Sequence, residues 1–175
     1  TAFYCDQSGG LVDRVCSSRE GGGVDRAIRP NMVIAAALRA APLDRARRQR
    51  VVDLCRTHLL TPYGLRTLAP SDPNYQGRYE GTMPHRDRAY HQGTVWPWLL
   101  GFLVEAHLRS SEHDPASRTI ARTWLQPLAG ELNWAGLGQL SEVYDGDLPH
   151  RPNGCPAQAW SCLLYTSPSP RDNLR

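Results

Sequence analysis

The apolar positions of this chain fall into runs of helical spacing, separated by breaks rich in proline and glycine. Phe3 to Val15 alternates around Gly9-Gly10 and predicts a short hairpin or irregular lead-in. Gly21-Gly22-Gly23 predicts a flexible turn, too short and too unlike a phosphate loop to hold a nucleotide. Ile28-Arg29-Pro30-Asn31 opens a helix to about Ala41, with Pro30 in the first turn and Pro42 as its stop. A second helix is expected from its cap Asp44 to about Leu60. Val51, Val52, Cys55 and Leu59 recur on one face of it and arginines occupy the other. Thr94 to Arg109 is apolar nearly all round and predicts a buried, inner helix. Asp114-Pro115 to about Leu132 carries Ile120, Trp124, Leu128 and Leu132 on one stripe and predicts an outer helix packed against it. Leu65 to Asp87 has no periodicity and is broken by Pro70, Pro73, Gly77, Gly81 and Pro84; a loop this long inside a compact domain is usually functional. Nothing after Gly23 shows a run of β alternation. The expected fold is therefore all-α, with inner and outer helices in antiparallel pairs, the repeat of an α/α barrel or of an α-solenoid.

Composition narrows the function classes. The chain has 175 residues, about one domain's worth. It holds no apolar stretch of membrane-spanning length and no signal-like start, so a cytoplasmic location and no membrane partner are expected. All 20 basic residues are arginine, for a net charge of +3. They are scattered except for Arg45, Arg47, Arg48 and Arg50 on a polar helix face, without the interleaved aromatics of a nucleic-acid surface. Five cysteines with no C-x-x-C spacing suit neither a disulfide framework nor a zinc site. Reduced thiols are expected, and neither a metal nor a cofactor.

The candidate chemistry lies in two stretches. Tyr90-His91-Gln92-Gly93-Thr94-Val95-Trp96-Pro97-Trp98 puts two indoles beside a polar turn. A pyranose has an apolar face that stacks on an indole and an edge of hydroxyls that bonds His, Gln and carboxylate partners. Trp96 and Trp98 are equally readable as core residues. Leu140 to Asp147 is the densest acidic cluster, reached through the turn Gly136-Leu137-Gly138. Glycoside hydrolysis needs two carboxyl groups across the scissile bond, and Glu142 is the leading general base. Asp145 and Asp147 have competing readings as turn formers or calcium ligands. Glu80 and Asp87 are the other carboxylates near aromatic and polar residues, and Arg78 and Arg86 either pair with them or grip sugar hydroxyls.

Taken in order, Ile28 to Asn31, Leu59-Leu60-Thr61-Pro62-Tyr63-Gly64-Leu65-Arg66-Thr67-Leu68, Tyr75 to Gly81, Tyr90 to Trp98, Ser141 to Gly146 and Gln158 to Ser161 resemble the C-terminal amylo-α-1,6-glucosidase domain of glycogen debranching enzymes. The resemblance covers about Phe3 to Ser161. It implies an (α/α)6 barrel, present here as its C-terminal part. The implied activity is hydrolysis, with inversion, of the α-1,6-linked glucose at glycogen branch points. The substrate would be glycogen or a branched malto-oligosaccharide. By the same resemblance Glu142 is the general base, and Arg29, Asn31, Tyr79, Glu80, His91, Gln92 and Trp96 contact substrate. The family's general acid lies in an upstream Trp-Met-Asp motif that does not occur here. The chain also starts at Thr1 without an initiator methionine, so it is expected to lack the N-terminal half of its protein and to be inactive alone. Other α/α-barrel glycosidases or phosphorylases share the Trp-Pro-Trp style of motif without the Leu-Thr-Pro-Tyr-Gly-Leu-Arg run. A non-catalytic glycan-binding helical module is the alternative from another class. Residues 162–175 are expected to be a non-native, disordered tail, because Cys162 to Asp172 resembles a translated sequencing adapter.

Overall fold

The alternating lead-in folds back on itself twice. In the computed structural model, which describes residues 3–16, 22–133 and 138–166, β1 (Tyr4–Cys5) pairs with β2 (Gly10–Leu11), and β3 (Arg14–Val15) with β4 (Val24–Asp25), both antiparallel. Gly21 and the Gly136-Leu137 turn lie outside the described residues.

Helix α1 (Asn31–Ala37) follows Pro30 but stops about a turn before the expected Ala41, where Leu38 turns to extended backbone. Leu38 is 55% exposed, so no burial holds a further turn. Helix α2 (Arg45–His58) begins where expected, with Asp44 accepting from the Arg47 amide at 2.7 Å. It leads directly into a hairpin of β5 (Leu60–Thr61) and β6 (Gly64–Arg66), turning at Pro62-Tyr63. A short helix α3 (Met83–Ala89) occupies the stretch expected to be loop; Pro84 sits in its first turn, where a missing amide costs nothing.

The expected helix from Thr94 is corrected at its start. Val95–Trp96 form β7, and α4 (Leu99–Ser110) begins only after Pro97. Along α4, Leu99, Leu100, Leu103, Ala106, His107 and Ser110 are buried and no residue is fully exposed. It packs against α1, α2 and α5 (Pro115–Glu131), which is the inner-helix arrangement that its all-round apolarity predicts. The buried stripe of α5 runs through Ser117, Ala121, Leu128 and Glu131, not through Ile120, which is 44% exposed. The i, i+4 ladder drifts off a 3.6-residue face. Asp114 caps this helix through the Ser117 amide at 2.7 Å.

Beyond α5, β8 (Val143–Tyr144) and β9 (Pro152–Asn153) complete an antiparallel sheet of order β5-β6-β7-β8-β9. The all-α expectation is thus corrected: the described residues mix helices with a five-stranded sheet. Each strand is only two or three residues long, too short to show a period of two. Leu65, Trp96 and Val143 join the helical core, while Val95 and Tyr144 are also fully buried, Tyr144 stacking on Tyr63 at 4.7 Å. Burial on both faces removes the polar alternation that would have announced a sheet. Helix α6 (Ala159–Thr166) runs across the expected tail boundary, with Leu164 packed on the core; residues 167–175 lie outside the described residues. No described helix is long and apolar enough to cross a membrane.

Candidate active site

Arg29 builds the first wall of the site. One of its terminal nitrogens donates to the carbonyls of His91 (2.7 Å) and Thr67 (3.1 Å), and the other to Gln92 Oε1 (2.6 Å). Its Nε lies 3.7 Å from Asp13, whose other oxygen accepts from Asn31 at 2.7 Å. A planar guanidinium with donors on several edges suits this work. It fixes the 91–92 turn against the lead-in, so Arg29 acts here mainly as scaffold. Gly93 closes the turn at φ +146, with its amide donating to Thr67 Oγ1 at 2.9 Å.

Beside this wall runs a groove with two chemistries. Its polar part, a cavity of about 720 Å³, is lined by Asp13, Arg29, Asn31, Asp87, His91 and Gln92 among others. An adjoining cavity of about 270 Å³ shares Asn31 and His91 with it and adds Ile34, Trp96, Trp98 and Trp160. The rings of His91 and Trp96 are parallel, with centroids 6.0 Å apart, and Trp160 packs on Trp96 at 5.6 Å. Hydroxyl-bonding groups thus adjoin flat apolar faces, the two demands of a sugar.

Glu142 sits behind the aromatic end, one residue before β8, and is 7% exposed. Its Oε1 accepts from the Tyr90 hydroxyl and its Oε2 from the Cys155 amide at 2.9 Å. Gly154, at φ +71, lets the backbone pass over this carboxylate; a Cβ there would stand 2.6 Å from Oε2. Burial pushes the Glu142 carboxyl up, but the hydrogen bonds from Tyr90, Cys155 and Gln158 outweigh it and hold the group below the usual carboxylate range. The folded state therefore favours the ionised form. Its stabilising effect is complete above the unfolded value, near 4.3, and is lost as pH falls through the lower folded value. Denaturant midpoints should accordingly show the stability gap between the native protein and Glu142→Gln changing below about pH 4 and flat above about pH 6.

Tyr79 packs its ring on Tyr90 at 5.6 Å, on the Glu142 side of the turn. Its amide donates to Asp145 Oδ1 at 2.9 Å. Asp145 is fully buried and also takes Arg78 (3.3 Å) and Asn153 (3.0 Å), while Asp147 accepts from Tyr75 at 3.0 Å. Both aspartates thus knit the 75–79 segment to the 145–153 turn. No group of described residues could hold a metal ion. Glu80 is exposed, with no hydrogen bond or ion pair among the described residues.

The family model for amylo-alpha-1,6-glucosidase matches residues 1–164. The chain belongs to that family. It is also 31% identical over 165 residues to the glycogen debranching enzyme of Saccharomyces cerevisiae, an alignment that takes in 80% of this chain and 10% of that enzyme. The chain therefore spans about a tenth of that relative's length.

Within this amylo-α-1,6-glucosidase domain, the structure adds residues that reading the sequence missed. Tyr90 and Cys155 hold Glu142, Asp13 anchors Arg29 and Asn31, and Trp160 completes the aromatic slot. Tyr90 and Trp160 stood inside the motifs that carry the resemblance, Tyr90 next to His91, which was already singled out. Asp13 and Cys155 carried no sequence signal, since only folding brings them to their partners.

Proposed function

We propose that this chain supplies the general-base side of an α-1,6-glucosidase acting on the single glucose left at a glycogen branch point. In this reading it is the C-terminal part of an (α/α)6 barrel ending near residue 161, and an upstream segment provides the general acid. The observation that carries the proposal is Glu142, held below the usual carboxylate range by hydrogen bonds from Tyr90, Cys155 and Gln158 beside the aromatic end of the groove. Inversion leaves room for a water between the base and the sugar, so the base need not line the sugar slot itself. Trp96, as the buried floor of the slot, with His91 and the exposed Trp160 would offer the stacking face, and Asn31, Gln92 and Tyr79 the polar edge, with Arg29 bracing the turn. Glu80 is free to reach substrate from its exposed position. The described cysteines are free thiols, in keeping with a cytoplasmic enzyme.

One observation favours a second reading, a glycan-binding surface without hydrolysis: both oxygens of Glu142 are bonded, and it lines neither cavity of the groove. Proton NMR of the full-length protein with a branched glucan bearing a single α-1,6 glucosyl stub separates the two. Initial release of β-glucose is expected. Binding with no released glucose would select the glycan-binding reading, and initial α-glucose would overturn inversion.

A further inference from the structure

We propose that Tyr90 is the positioning residue of the hydrolysis, fixing the aim and the charge of Glu142 from the same turn that carries the sugar-stacking rings. The inference rests on Glu142 being the base, and goes beyond it by assigning what makes that carboxylate competent.

Tyr90 is held at both ends. Its backbone caps α3 through a bond to the Arg86 carbonyl at 2.9 Å, and its own carbonyl accepts from Trp96 Nε1 at 3.1 Å. Its ring meets Trp96 edge-on at 4.7 Å, His91 at 5.0 Å and Tyr79 at 5.6 Å. With the backbone and ring fixed, the hydroxyl is left directed at Glu142 Oε1. The Cys155 amide holds the other oxygen. Donors on two different oxygens fix the carboxylate plane, and the Cys155 thiol and Gln158 add further bonds to the group. Burial, together with the Glu142 carboxylate, holds the Tyr90 phenol well above its ordinary value, so it stays a neutral donor. The other titratable groups packed around the pair are Tyr79 from the segment before α3, His91 on the turn, and Cys155 after β9. Trp96, buried beneath Trp160 and His91, is itself bonded to Tyr90, so the floor of the aromatic slot and the base move as one body. That is the pre-alignment on which an intramolecular attack depends.

The test uses the full-length protein with a branched glucan. Tyr90→Phe keeps the ring and its packing but loses the donor. Its kcat should fall on the order of 10–100-fold with KM within about twofold, since one donor to a reacting charge is being removed. The acid limb of its kcat/KM profile should move to higher pH, because the ionised form of Glu142 loses a bond. Replacing Tyr90 with 3-fluorotyrosine keeps the fold and strengthens the donor, and should move the limb to lower pH. Unmoved acid limbs overturn the proposal, as does a raised KM with unchanged kcat; if Tyr90→Phe does not fold, the fluorotyrosine limb decides alone. Glu142→Gln separates the two levels. If it is as active as the native enzyme, the base reading itself fails; if it is inactive while the Tyr90 limbs stay put, only the positioning role fails.

Discussion

Glu142→Gln in the full-length protein should abolish nearly all release of branch-point glucose while leaving glucan binding in place. A positioned general base contributes typically about 10²–10⁴-fold, and a loss near the middle of that range corresponds to roughly 4 kcal/mol of transition-state stabilisation. The amide is a fair test because the site can accept it without refolding. Its oxygen can take the Cys155 amide, and its NH₂ can donate to Tyr90, whose hydroxyl turns to accept. Glu142→Ala would be less clean, since a buried hydroxyl and an amide would both lose their acceptor at about 1–3 kcal/mol each. The acid limb of the pH profile should vanish together with the carboxylate. Initial-rate assays and glucan binding on the same preparation check the claim. Near-native turnover would remove Glu142 from the chemistry and leave it as a structural link between the Tyr90 turn and the Cys155 segment.

Local signals made part of this architecture legible and tertiary pairing hid the rest. Asp44 and Asp114 announced α2 and α5 because an N-cap is a short-range hydrogen bond, decided within three residues. The apolarity of residues 99–104 announced an inner helix for a similar reason. The sheet had no such signal. Its strands are stabilised by partners as distant as Val95 and Tyr144, and their two-residue length leaves no period to detect. Pro84 misled because it breaks a helix interior but suits a first turn. At the site, motif order pointed to Glu142 and to the His91–Trp96 turn, but no spacing rule relates Tyr90 to a carboxylate 52 positions on. The antiparallel β7–β8 pairing sets Val95 opposite Tyr144 and so carries Glu142 past the Trp96 end of β7, where the Trp96 indole reaches back to the Tyr90 carbonyl and brings the two residues together.

Gly93→Ala should cost the fold more than about 3 kcal/mol, a large share of the 5–15 kcal/mol that holds an ordinary domain together. Two effects add. At φ +146 an L side chain is strained, by about 1–3 kcal/mol. The new Cβ would also stand 2.5 Å from the Gln76 carbonyl oxygen and 2.7 Å from the Tyr75 ring. The first of these is backbone and cannot swing aside. Gln76 can retreat only by breaking the hydrogen bond that its backbone N–H donates to the Gln92 carbonyl (2.6 Å), and both residues line the polar part of the groove. Loss of stability and loss of glucan affinity should therefore appear together. Gly130→Ala provides the opposite sign. Gly130 lies in the last turn of α5 with nothing among the described residues near its would-be Cβ, so alanine should stabilise by about 0.5–1 kcal/mol through a less flexible unfolded chain. Denaturant midpoints of the two variants, with glucan binding measured alongside, check the pair. A Gly93→Ala protein as stable as the native one would mean that the 75–77 segment is not seated against the turn, and the groove would then lack its wall.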